Sequence, residues 1–310
     1  VNAIAIPNNL LDVEKESLEL CVFHDESGDY GHSDWVFTGL LWVREKDISG
    51  IAAILRDVRQ QENYWKKIHL NELPKSFDGQ FGADARVAKE WFTKWYGEIA
   101  DKTWFNVLAV QLNHPKYDRK RFKQDFHAYN RFTLIALKAG LAWFFKDGEY
   151  EHLRLWMYSD KKTRRPGGIL GDKVNIDNFE DYIMKRLGQE VQSYKGPPIS
   201  LMARPKGLKF PNDPNLVMPE HELLCLCDLL VGAVAGAVSP KSKRQTKRWF
   251  AKQIAELMQD VRKKPRKQQM GLHRRFSVSY FPNERGEFYS NGPIGIIDKP
   301  DCQLCLFGGS

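Results

Sequence analysis

Apolar and polar positions alternate or recur along this chain in ways that separate short strands from longer helices. Residues 19–24 (ELCVFH) form a brief run rich in strand formers, closed by the turn-like Asp-Glu-Ser-Gly-Asp at 25–29. Residues 35–43 (WVFTGLLWV) predict a second strand, and Gly28, Gly31 and Ser33 between the two suit a hairpin-like connection. Ile48, Ile51, Ala52, Leu55 and Val58 then fall on one side of a helix over 47–65. A short extended piece at 68–70 precedes Glu72. Helices are predicted over 83–99, 126–145, 176–187 and 220–238, and a basic helix over 243–264. Strands are predicted over 104–112 (WFNVLAVQL) and 153–158 (LRLWMY), with an edge strand at 199–203. Helices alternating with strands indicate an α/β protein, a mixed sheet layered by helices.

Charge changes the picture only through its distribution. The chain of 310 residues carries a net charge of +8. Residues 239–275 alone hold 13 Lys or Arg against the two acids Glu256 and Asp260, so the remainder is slightly acidic. A local basic stripe is what a phosphate backbone requires. Its run 241–252 (KSKRQTKRWFAK) offers Lys243, Arg244, Lys247 and Arg248 to nucleic acid, with Trp249 or Phe250 for stacking; the competing reading is a solvated helix with those two rings in the core. A second cluster, 116–123 (KYDRKRFK), follows the third strand.

Five cysteines do not make a disulfide scaffold in a chain this long, and Cys21, Cys225 and Cys227 read as buried thiols. Cys302 and Cys305 have the spacing of half a zinc site, but without a second pair ordinary tail cysteines are the favoured reading. No leader is expected before the first strand, and no apolar run is expected to be long enough to span a bilayer, since 132–145 and 223–238 are interrupted by Lys138 and Asp228. A soluble, cytoplasmic protein with no membrane partner is the expectation.

The candidate chemistry lies in three carboxylates. Asp25 stands where the first strand runs out, and Asp160 where the fourth does. Asp228 lies inside a helix otherwise built of Leu, Cys, Val, Gly and Ala, where an aspartate needs a partner. Taken singly, Asp25 could form a turn, Asp160 could cap a loop, and Asp228 could be held by a buried Arg or Lys. Gathered at one sheet edge, they would suit two Mg²⁺ or Mn²⁺ ions and phosphodiester cleavage. Lys161, Lys162, Arg164 and Arg165, directly beyond Asp160, would hold the scissile phosphate. His24 neighbours Asp25, but strand alternation turns it to the opposite face, which favours packing. His69 lies three residues before Glu72.

Four pieces in order resemble the prokaryotic domain of unknown function 3800. They are Phe-His-Asp-Glu-Ser-Gly-Asp at 23–29, His-Leu-Asn-Glu-Leu at 69–73, the strand-end aspartate at 158–160, and Leu-Cys-Asp-Leu-Leu-Val-Gly at 226–232. The resemblance implies an RNase H-like fold, assigned to residues 1–238, while the charge distribution marks 239–310 as a basic helical extension and tail. It also implies a metal-binding quartet of Asp25, Glu72, Asp160 and Asp228, with Glu26 as an accessory ligand. Glu72 enters by resemblance alone.

The function expected is a metal-dependent nuclease acting on RNA or DNA, in a prokaryotic defence or mobile-element setting, with a partner protein or a second copy as further partners. A non-cleaving nucleic-acid-binding subunit is the alternative. A small-substrate phosphohydrolase would have no use for the basic segment. Neither a P-loop nor a Ser-His-Asp or Cys-His nucleophile signature is present.

Overall fold

A computed structural model describes residues 16–79, 82–146, 150–160, 178–190 and 196–298. The first strand, β1 (Leu18–Ser27), pairs antiparallel with β2 (Trp35–Arg44), which pairs antiparallel with β3 (Thr103–Gln111). On the other side of β1, β4 (Leu153–Asp160) runs parallel to it and carries the short strands β5 (Ile199–Leu201) and β6 (Lys206–Leu208). A seventh strand, β7 (Phe276–Phe281), lies parallel to β3, giving the order β5-β4-β1-β2-β3-β7. This is a mixed sheet flanked by helices, as expected. The segment after residue 238 adds more than a basic helix, because β7 extends the sheet itself.

Alternation along β1 sorts its side chains into two cores. Cys21 and Phe23 face one layer with Leu226, Leu230 and Phe250, while Leu20 and Val22 face the other with Phe132, Leu137 and Leu141. The first layer holds α1 (Ile48–Glu62), α2 (Ala83–Lys94), α5 (Pro219–Val238) and α6 (Gln245–Lys263). The second holds α3 (Asp125–Phe144) and α4 (Phe179–Glu190).

Helix α5 is apolar almost all round. By length and composition it could cross a membrane, contrary to the expectation that no segment is long enough. Here it is a core helix, 83% buried over its apolar window. Pro219 at its first turn is pre-set for helix, and Glu220 and Glu222 sit at the favourable end of its dipole.

Two glycines make the site possible. Gly28 ends the β1–β2 strand pairing at φ +96°, and a Cβ there would lie 2.4 Å from the Trp35 carbonyl oxygen. Gly39 is the register partner of Asp25 on β2, and a Cβ there would lie 2.0 Å from Val231 Cγ2. The missing side chain lets α5 lie directly on the sheet. Asp228, one turn before Val231, is thereby brought down beside Asp25.

Candidate active site at the β1 and β4 strand ends

Strand register places Asp25 and Asp160 side by side. The last parallel pair is His24 with Ser159, one step before the two aspartates. Adjacent strands lie roughly 4.8 Å apart, and register partners in a parallel pair point to the same face. That face is the α5 side, because Phe23 and Tyr158, one alternation earlier, stack there at 5.3 Å. Asp25 is thus part of a strand rather than a turn, and its Oδ1 accepts the Glu26 N–H at 2.9 Å.

Asp228 reaches the same spot from α5 and is 8% exposed. Its Oδ2 accepts from the Leu70 N–H at 2.9 Å and meets His69 Nδ1 at 2.8 Å, and its carboxyl is hydrogen-bonded to that of Asp25. Its partner is a histidine, not the buried Arg or Lys weighed from sequence. Burial opposes ionisation of Asp228, but the bonds from His69, Asp25 and Leu70 outweigh it and hold its pKa below the usual carboxylate value. One residue earlier, Cys227 Sγ donates to the Phe23 carbonyl at 3.2 Å, tying α5 to β1. Cys21 and Cys225 are buried, which pushes both thiols up to about 12, so they are neutral.

The segment from Tyr64 to Pro74 crosses these strand ends and delivers two cations. Lys67 Nζ donates to Asp160 Oδ2 at 2.6 Å. Burial works against the Lys67 charge, but Asp160 outweighs it and raises its pKa. His69 is raised by its hydrogen bond to Asp228, against burial, with Glu72 adding a smaller effect. Stability from the charged His69–Asp228 pair is therefore fully present below the unfolded imidazole value of about 6.5, and is lost as pH rises through the higher folded value. Urea unfolding of wild type and His69→Asn checks this. The gap between them should be wider at pH 5.5 than at pH 9, and an equal gap would show that the pair carries no charge.

The crossing segment is pinned from both sides. The fully buried Arg59 donates from Nη1 to the carbonyls of Lys66 at 2.7 Å and Tyr64 at 3.2 Å, and from Nε to Glu222 Oε2 at 2.8 Å. At the other end Arg244 donates to the Leu73 carbonyl at 2.7 Å, and Lys247 to Asn71 Oδ1 at 3.1 Å. Lys67, Arg59 and Glu222 had no signal in the sequence beyond being charged residues on predicted helices or loops.

Of the expected quartet, Asp25, Asp160 and Asp228 share one edge. Glu72 is exposed on the short turn Leu70–Glu72, near His69 but with no hydrogen bond from its carboxylate to any described residue. Glu26 pairs in register with Thr38, and alternation puts it on the face opposite Asp25. His24 also faces away, fully buried among Tyr129, Phe179 and Thr133, as expected of a packing residue.

The fit to a divalent cation is therefore partial. Among the described residues no three His, Cys, Asp or Glu side chains form a ligand group. Two carboxyls in hydrogen-bond contact, one of them buried, however, need a proton or a cation between them, and Asp25 with Asp228 meets that condition.

Of the basic residues, Arg244 is spent on backbone carbonyls, while Lys247 and Arg248 line a cleft beside the carboxylates. Burial, with Arg244 nearby, lowers the Lys247 pKa. Lys243 is exposed. Trp249 and Phe250 pack on Phe77 and Phe92, so they serve the core and are not a stacking platform. Lys161, Lys162, Arg164 and Arg165 lie outside the described residues, as do Cys302 and Cys305.

No family model matches the chain, and no curated protein does. Among solved structures it is similar to the crystal structure of the ribonuclease H2 from Pyrococcus horikoshii OT3, at 14% identity over 77% of this chain and 78% of that one, with a TM-score of 0.36. At that score the likeness fixes neither fold nor chemistry.

Proposed function

We propose that this chain is a cytoplasmic metal-dependent nuclease with its active site at the shared edge of β1, β4 and α5. One observation carries the reading: Asp25 and Asp160 stand side by side at parallel strand ends while Asp228 is brought from a buried helix into contact with Asp25. A purely structural role would not need an aspartate buried in α5 to meet a second carboxyl at the strand end.

Asp25 and Asp228 would hold a Mg²⁺ or Mn²⁺ ion, with Asp160 beside them as the group toward a second. When bound, the metal supplies charge neutralisation at the scissile phosphate. The chain's own groups do the rest. His69 and the Leu70 N–H fix the orientation of Asp228, and Lys67 balances Asp160 and presents an ammonium within the site. The basic segment supplies the phosphate-backbone attraction that a nucleic-acid substrate needs. A role in defence or mobile elements follows from resemblance alone and adds no residue to this picture.

A second reading has its own support. Lys67 and His69 already satisfy Asp160 and Asp228, as they would in a nucleic-acid-binding subunit that does not cut. End-labelled single-stranded RNA, single-stranded DNA, duplex DNA and an RNA–DNA hybrid, incubated with Mg²⁺, Mn²⁺ or EDTA, separate the two. The nuclease reading expects cleavage of at least one strand type with metal and none with EDTA. Binding without cleavage under every metal condition would favour the subunit.

A further inference from the structure

Next to the carboxylates lies a cleft of about 250 Å³, formed where the β1–β2 turn meets the junction of α5 and α6. Its apolar part comes from Trp35, Phe37, Leu70 and Ala251. Lys241, Lys247 and Arg248 line it together with four serine hydroxyls, and no Asp or Glu does. Two of the cations are already positioned: Asp34 holds Lys241 at 2.9 Å and Asn71 holds Lys247 at 3.1 Å. An ammonium has three donors, so each keeps hydrogen-bonding capacity for a ligand.

The cleft is continuous with the site. Leu70 lines it and gives its N–H to Asp228, and Ser27 lines it two residues beyond Asp25. Trp35, half-buried, is anchored by Phe37 at 6.1 Å and Tyr280 at 6.3 Å, so its ring is a fixed wall.

A ligand for this lining is anionic at one end, accepts hydrogen bonds from hydroxyls, and carries a flat apolar body. We propose that the cleft binds one unpaired nucleotide of a single-stranded polynucleotide, its phosphate on Lys241 and Lys247 and its base against Trp35. Base–aromatic contact of this kind tolerates any base, and a lysine pair on phosphate carries no sequence information. A cleft of about 250 Å³ is of the size of one nucleotide, and the substrate class assigned to it is a single strand or a locally opened one. This assignment rests on the nuclease reading for the fate of the strand, but the binding step can be measured without it.

Calorimetric titration of the full chain in EDTA compares a nucleoside 5′-monophosphate, the parent nucleoside and inorganic phosphate. The monophosphate should bind at least tenfold tighter than either fragment. Lys247→Gln should weaken it at least tenfold with an unchanged melting temperature. Trp35→Leu should do the same, and Lys241→Gln replaces it if that variant melts early. Phosphate binding as tightly as the nucleotide, or Lys247→Gln binding like wild type, overturns the assignment. Nucleotide binding that maps to Lys247 in a protein that cuts nothing supports the cleft while removing the nuclease reading. Cleavage by a protein that binds no nucleotide overturns the cleft alone.

Discussion

Arg59→Met lowers the unfolding free energy by roughly 3–5 kcal/mol, the usual cost of stripping one partner from a buried ion pair. Both side chains of the Arg59–Glu222 pair are fully buried, and the guanidinium also lies over the Trp91 ring at 4.6 Å. Removing it leaves Glu222, buried in α5, with the more distant Arg56 at 3.8 Å as its remaining ion-pair partner, and frees the carbonyls of Tyr64 and Lys66, which lead to Lys67 and His69. Burial already raises the Glu222 pKa against the pull of Arg59. Without Arg59 that value rises further, and stability is lost as pH climbs through it. Urea unfolding should thus show a larger deficit at pH 8 than at pH 5. Arg59→Met with Glu222→Met should recover most of the loss. A deficit below about 1 kcal/mol, which is surface-pair behaviour, would mean the pair is not buried in solution.

Asp228→Asn is the variant with the largest expected effect on activity. The amide keeps the shape of the carboxylate, and its oxygen can still accept from the Leu70 N–H, so the fold should hold. The charge beside Asp25 is lost. Cleavage should fall by roughly a thousandfold or more, about 4 kcal/mol of transition-state stabilisation. Single-turnover rates at saturating protein give the number, and a melting curve shows whether folding is retained. A loss of activity matched by early melting would assign Asp228 to stability instead.

The parts of the architecture that periodicity controls were legible in the residues. Short runs of strand formers marked β1 and β2, and one-faced spacing marked α1. An aspartate in a helix of Leu, Cys and Val announced a buried carboxylate before any coordinates. What partners it was not legible, because His69 and the Leu70 N–H reach Asp228 across about 160 residues of sequence. Arg59 and Glu222 read as ordinary surface charges on helices, since a buried pair leaves no periodic trace. The strand β7 did leave one: Phe276, Val278 and Tyr280 alternate with Ser277 and Ser279 just beyond the basic run. Trp249 and Phe250 could stack on bases or on the core by composition alone, and only their contacts with Phe77 and Phe92 decide it.

The most direct test of the central claim is the cleavage rate of the full chain on end-labelled single-stranded RNA and DNA in Mn²⁺, wild type against Asp25→Asn. Asp25 is the carboxylate that adjoins both Asp160 and Asp228. The account predicts metal-dependent cleavage by wild type and loss of at least a thousandfold in a variant that melts within a few degrees of it. Equal rates in the two proteins, or cleavage that persists in EDTA, would contradict it.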